Sequence, residues 1–262
     1  MTPEHRTITS GRHPAVQQFR DAAAGSVEGV LLAEGVRLVG DALDAGLEVL
    51  VAAASPRCDK AFAERLQQIA GTFLECSDEV MNRLSALETS PGVAVLLRRP
   101  AVEEADLLRR DTAPLVVVAA GIRDPGNLGS LVRAAEAAGA TGCVTMKGGA
   151  DPFRDKAVRG SMGSIFRLPV LHGLDAAGVI QFALVNRLQL VVADGGGDRE
   201  YTDADLKKPL ALVVGAEAAG VPEELIRAAT ARVRIPLRQP VDSLNVAVAA
   251  GVLLFEARRQ RR

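Results

Sequence analysis

The sequence predicts an α/β protein whose C-terminal part is a parallel sheet covered by helices on both faces, preceded by a smaller α/β unit. Three observations predict it. Short, almost wholly apolar runs such as residues 115–120 and 210–214 read as strands buried on both faces, and helical patterns separate most of them. Aromatic residues are only 3% of the 262 positions, with no Trp and one Tyr, while 48% are hydrophobic, a balance that suits packed α/β layers better than aromatic-rich sandwiches. Residues 98–114, RRPAVEEADLLRRDTAP, turn abruptly to charge and proline as a linker does. That sets a boundary near residue 105, with domains over 1–105 and 106–262.

Taken in order, residues 14–24 carry a polar helical pattern, 30–33 a strand, 34–45 a helix, 47–53 a strand, 59–70 a helix, 72–75 a short strand, 78–87 a helix and 93–97 a strand. Each follows from the period of its apolar residues and the turn residues that bound it. Past the linker, strands fall at 115–120, 142–146, 190–193, 210–214 and 233–235. The last helix, about 246–259, begins apolar and ends in arginine, which suits the negative end of its dipole.

A net charge of −1 does not announce a nucleic-acid partner. The distribution says more. The 31 basic residues are mostly Arg and several cluster: Arg6, Arg12 and Arg20; Arg98 and Arg99; Arg109 and Arg110; Arg258, Arg259, Arg261 and Arg262. Arginine suits bidentate phosphate contact, though its excess over Lys can equally reflect genomic base composition. Cys58, Cys76 and Cys143 are odd in number and widely spaced, and His5, His13 and His172 are scattered, so neither a disulfide framework nor a metal site is expected. The start has no apolar signal core and no apolar run approaches the ~20 residues of a membrane span. A cytoplasmic protein is expected.

Three segments of the second domain depart from plain scaffold. In residues 121–140, GIRDPGNLGSLVRAAEAAGA, a strand ends in an Asp-Pro-Gly turn and a helix starts at about Asn127, a good N-cap residue. Ser130, Ala134 and Ala138 form a thin stripe of small residues along that helix. Arg133 is not on the same helical face as Asn127, so Asn127 acts from the cap, in the crevice beyond the strand ends where open α/β sheets bind ligands. The glycines here lack the G-x-G-x-x-G spacing of a dinucleotide site. In residues 210–224, LALVVGAEAAGVPEE, an apolar strand runs into Gly215, a lone acid Glu217, Gly220 and Pro222. Glycines flanking one acid at a strand's carboxyl end admit a ligand to the backbone, or are turn chemistry alone. In residues 232–259, RVRIPLRQPVDSLNVAVAAGVLLFEARR, Ser243 and Asn245 precede the most apolar helix, where polar residues can simply be caps.

Together these segments resemble the three signature motifs of the SpoU (TrmH) branch of the SPOUT methyltransferases, carried by NLGSLVRAA, VVGAEAAGV and IPLRQPVDSLNVAVAAG in family order and spacing. VRGSMGSIFRLPV, residues 158–170, is similar to the family segment between the first two motifs, and the likeness covers 114–259. More loosely, LLAEGVRLVGDALDAGLEVLVAAASP, residues 31–56, is similar to the small ribosomal-protein-like substrate-binding domain that precedes this catalytic domain in many members. The second motif often reads E-G-x-G, and Ala218 takes the first of those glycine positions; Ala247 replaces a small polar residue in the third.

The resemblance implies a deep trefoil knot, S-adenosylmethionine as methyl donor, a ribose 2′-hydroxyl of RNA as acceptor and a homodimer joined through the knot region. By position, Gly215, Ile235 and Leu244 would surround the adenosine of the donor, with Ala193 and Asp194 nearby. Arg133 would be the central catalytic residue, as the base for the hydroxyl or as a charged stabiliser of the forming alkoxide. Asn127, Glu217, Ser243 and Asn245 would orient it and the RNA. The N-terminal domain favours ribosomal RNA over the alternative, transfer RNA. A ribosome-assembly factor that kept the fold and lost the chemistry is the reading from another class.

Overall fold

The computed structural model of the chain describes residues 4–108, 112–216 and 219–262. They divide into two compact units, the first running to Ala101 and including Phe153–Arg159, the second made of Val102–Pro152 and Gly160–Arg262.

In the first unit the chain runs β1 (Glu4–Ile8), α1 (Pro14–Ala23), β2 (Val30–Glu34), α2 (Val36–Asp44), β3 (Val49–Ala54), α3 (Lys60–Ile69), β4 (Thr72–Cys76), α4 (Asp78–Leu84) and β5 (Val93–Arg98). Three helices begin where a side chain takes an orphan N–H: His13 accepts from Ala15, Asp59 from Phe62 and Ser77 from Val80. The sheet order is β1-β4-β3-β5-β2, with β1, β4 and β3 parallel and β5 antiparallel to both of its neighbours. Phe19, Leu32, Leu74, Leu84 and Leu96 fill one face of it. Strand β1 is absent from the sequence reading because only Ile8 of its five residues is buried, which leaves no alternation to read.

The rest of the chain runs β6 (Leu115–Ala120), α5 (Pro125–Ala138), β7 (Gly142–Met146), α6 (Asp155–Ser161), β8 (Val170–Leu174), α7 (Ala176–Val185), β9 (Gln189–Ala193), β10 (Arg199–Glu200), β11 (Leu210–Gly215), α8 (Glu223–Ala228), β12 (Ala231–Arg234) and α9 (Val246–Gln260). All seven strands are parallel, in the order β10-β12-β9-β11-β6-β7-β8. The chain moves outward from β6 to β8, then returns to the other side of β6 for β9, so strand order reverses beside β11 and a crevice opens at the carboxyl ends there. Val116, Val118, Val192, Ala211 and Val213 are buried on one face and Val117, Val191 and Leu212 on the other, as a sheet covered on both faces requires. Helices α5 and α9 pack side by side. Among the described residues no helix is long and apolar enough to cross a membrane.

Two further details differ from the sequence reading. Strands β8 and β10 were not expected; Gly173 and a polar pair obscure their patterns. Helix α5 starts at Pro125, and Asp124, not Asn127, is its N-cap, its carboxylate accepting from the Asn127 N–H at 2.8 Å. Proline at the first helical position lacks an N–H and has its φ preset, so the cap falls on the residue before it.

Candidate active site

The carboxyl ends of β9, β11 and β12 and the loop between β12 and α9 enclose a cavity of about 210 Å³. Ala193, Asp194, Gly215, Ile235 and Leu244, the five residues expected around a donor, all line it, and so does Ser243. They come from three stretches of sequence, brought together because β9 lies between β11 and β12 in the sheet. Val214, Val221 and Val233 make much of the wall apolar. Gly215 is required by close approach: a Cβ there would stand 2.3 Å from the carbonyl carbon of Gly220 and 2.5 Å from the Val221 nitrogen, both backbone atoms that cannot swing aside.

Asp242 and Asp194 are the cavity's carboxylates, Asp194 at the end of β9. Asp194 Oδ2 accepts from Arg232 at 2.5 and 3.2 Å, and its Oδ1 accepts from the Gly196 N–H at 3.1 Å. The Arg232 hydrogen bond holds the Asp194 carboxyl below the usual carboxylate range, against a smaller opposing push from partial burial.

A polar junction adjoins Leu244. The Asn245 side chain accepts from the N–H groups of Ala247 and Val248, capping α9, and donates from Nδ2 to Asn127 Oδ1 at 2.9 Å. One side chain thus joins the first turns of α5 and α9, which are far apart in sequence. Asn127 lies in the first turn of α5 rather than at its cap. The Ser243 hydroxyl is exposed and hydrogen-bonds Asp242 at 3.4 Å. Arg133 lies further along α5 with its side chain exposed, and it is not among the cavity-lining residues. Glu217 and Ala218 lie outside the described residues, as do Arg109 and Arg110.

The sequence reading missed Asp124 and Arg232. Proline after Asp124 signalled the cap, and the Arg-Val-Arg alternation at residues 232–234 signalled two side chains on one face of a strand. Of the clustered C-terminal arginines, for which phosphate contact was one reading, Arg261 is committed to the fold: its guanidinium donates to the carbonyl oxygens of Leu206, Ala113, Pro114 and Lys208 at 2.6–3.2 Å. Arg98 is likewise paired with Glu48, Arg259 with Glu256, and Arg99 lies 3.8 Å over the Phe153 ring.

Residues 114–255 match the model of the SpoU rRNA Methylase family, and residues 17–95 match the model of the MRM3-like substrate binding domain. The chain is 30% identical over 272 residues to the 23S rRNA (uridine(2479)-2'-O)-methyltransferase of Streptomyces viridochromogenes, covering 99% of this chain and 94% of that protein. Among solved structures it resembles the SpoU methyltransferase AviRb of the same organism in complex with AdoMet, with a TM-score of 0.87, 28% identity and 95% and 98% of the two chains covered. It also resembles the AdoMet-bound rRNA methyltransferase of Sinorhizobium meliloti, with a TM-score of 0.86, 32% identity and 97% and 98% covered. Motifs, parallel sheet and family match agree, and the chain belongs to the SpoU rRNA methylase family.

Proposed function

We propose that this chain transfers a methyl group from S-adenosylmethionine to a ribose 2′-hydroxyl of ribosomal RNA, with the donor held in the cavity at the ends of β9, β11 and β12. The observation that carries the reading is the convergence of Ala193, Asp194, Gly215, Ile235 and Leu244 on one cavity beside the Asn127–Asn245 junction. The lining suits the donor. Apolar walls and a close-packed backbone at Gly215 favour a flat, weakly polar base, and a carboxylate accepts hydrogen bonds from hydroxyl groups. The knotted threading implied by the motifs is part of the reading, since the segments after β11 and β12 wall the same cavity.

Bound there, S-adenosylmethionine supplies an electrophilic methyl group on a sulfonium centre. The chain's task is to bring the hydroxyl oxygen in line with that carbon, so that the carbon–sulfur bond breaks as the oxygen–carbon bond forms, and to stabilise charge as the hydroxyl proton passes to solvent water. We assign the second part to Arg133 as a cation. Neutralising an arginine at neutral pH costs roughly 7 kcal/mol, five to six pKa units at about 1.36 each. A charged guanidinium holding a phosphate and the forming alkoxide avoids that cost. Asn127, Ser243 and Asn245 position the RNA, and we include Glu217 with them on its motif.

The reading includes a homodimer. Val248 and Phe255 lie seven residues apart on one face of α9 and are 54% and 49% exposed, with Val241 at 50% just before the helix. A second copy covering this face removes apolar surface from water. Replacing Val248 and Phe255 by Asp should yield monomers in sedimentation. We place the protein in the cytoplasm with its RNA. The deciding experiment incubates the protein with labelled S-adenosylmethionine and separate ribosomal and transfer RNA pools, then maps 2′-O-methylated positions. Label in ribosomal RNA is expected; label confined to transfer RNA, or to bases, overturns the reading.

A further inference from the structure

After β9 the chain reads Asp194-Gly195-Gly196-Gly197, and its first two residues line the cavity. Three consecutive glycines bring no side chains to pack and lose the most backbone freedom on ordering, so this wall cannot hold itself in place. Strand β12 holds it. Arg232 donates to Asp194 Oδ2 and, from Nη2, to the Gly196 carbonyl at 3.2 Å, while Arg234 donates from Nη1 to the Gly197 carbonyl at 2.9 Å. The backbone adds Asp194 N–H to Val233 O and Gly197 N–H to Asp194 O, both 2.9 Å. Gly197 must be glycine, since a Cβ would stand 2.8 Å from the Val233 carbonyl carbon. At Gly195 a Cβ would meet nothing within 4 Å, so protein packing does not demand glycine there, and the bare backbone leaves that room to a ligand.

We infer that Arg232 is a positioning residue for the methyl donor: from outside the cavity it fixes Asp194 and the triglycine wall so that the carboxylate accepts hydrogen bonds from the donor's ribose hydroxyls. The Arg232–Asp194 pair is neutral as a whole, which suits hydroxyl donors better than the ammonium group at the other end of the molecule. Arg234 supports the same wall one turn of the pleat away, tied in turn to Glu200 at 3.6 Å.

The inference rests on the cavity being the donor site, and its test separates the two. Calorimetry is run on the full chain with S-adenosylmethionine and with 5′-methylthioadenosine, which keeps the adenosine and lacks the amino-acid end. Arg232→Ala should weaken both by about tenfold, Arg232→Lys should restore part of the loss, and kcat at saturating donor should stay within about twofold, so that the effect is in KM. Asp194→Asn, which preserves shape, should give a similar loss, and the double variant should be no worse than either single one. Gly215→Val should abolish binding of both compounds. If Gly215→Val loses binding while Arg232→Ala keeps it, the inference alone is overturned. Loss for S-adenosylmethionine but not for methylthioadenosine overturns it too, by assigning the contact to the ammonium end. Full affinity in Gly215→Val overturns the cavity reading and this inference with it. If Arg232→Ala does not fold, Arg232→Lys and Asp194→Asn decide by the same readouts.

Discussion

Two acids stand at the carboxyl ends of strands in this chain, and their surroundings push them in opposite directions. Glu34 ends β2 in the mixed sheet, is 6% exposed, and accepts from the Ser85 hydroxyl and from the Ala86 N–H at 2.9 Å. Burial raises its pKa despite those bonds, with Asp155 adding to the rise and Arg159 opposing it. Asp194 follows β9 in the all-parallel sheet, faces a cavity, and is held low by Arg232. Glu34, buried and with no ion pair among the described residues, is held toward its neutral form, while Asp194, paired with arginine at the edge of a cavity, is kept charged. The sheets explain the difference. In the first sheet the reversed strand β5 brings its amino end, at Ala94, beside Glu34, whereas seven parallel strands bring every carboxyl end, and the loops that follow, to one edge.

The comparison predicts that substitutions around the parallel sheet's open edge change chemistry and binding, while those at Glu34 change only stability. Arg133→Ala should have the largest effect: a fall in kcat on the order of 10³ with donor affinity within about twofold, read by single-turnover kinetics and calorimetry. Equal loss of both would make Arg133 structural. Arg133→Lys keeps the charge but not the planar fork and should recover only part of the rate. Next comes Gly215→Val, which forces a side chain against the Gly220 and Val221 backbone; donor affinity should fall more than 100-fold, about 2.7 kcal/mol or more. Asn245→Ala should cost about 1–2 kcal/mol in chemical denaturation, since it removes the α9 cap and the bond to Asn127 together, and turnover should drop further than donor affinity.

How much of this was legible beforehand differs between strand and junction. The parallel strands stood out because burial on both faces makes them uniformly apolar, and β6 was bounded to the residue. Exposed β1 and the two-residue β10 carried no period to find. The motif positions Gly215, Ile235 and Leu244 line one cavity, whereas the cap of α5 lies three positions before the one expected, because Asn127 and Asp124 are both good N-cap residues and Pro125 shifts the start to Asp124. The Asn127–Asn245 bond and the Arg232–Asp194 pair join residues 118 and 38 positions apart. Such pairings follow from strand order, and no local pattern encodes strand order.

The smallest effect tests the two acids directly, through the sign of their pH dependence. For Glu34 the folded-state pKa lies above the unfolded value of about 4.3, so its stabilising contribution is complete below that value and is lost as pH rises through the folded pKa. Glu34→Gln removes this dependence. Its amide oxygen can accept from Ala86 while its NH₂ donates to the Ser85 hydroxyl, which can reverse its role. Thermal melts should therefore show the variant gaining on the parent as pH rises from about 4 to 7. Asp194 has the opposite sign. Its folded pKa is lowered, so its contribution is present above the unfolded value of about 3.9 and is lost as pH falls through the folded one. Asp194→Asn should accordingly be the weaker protein at neutral pH and draw level in acid. Parallel slopes for the two variants would mean that both acids serve the fold in the same way, and the contrast between the sheets would fail.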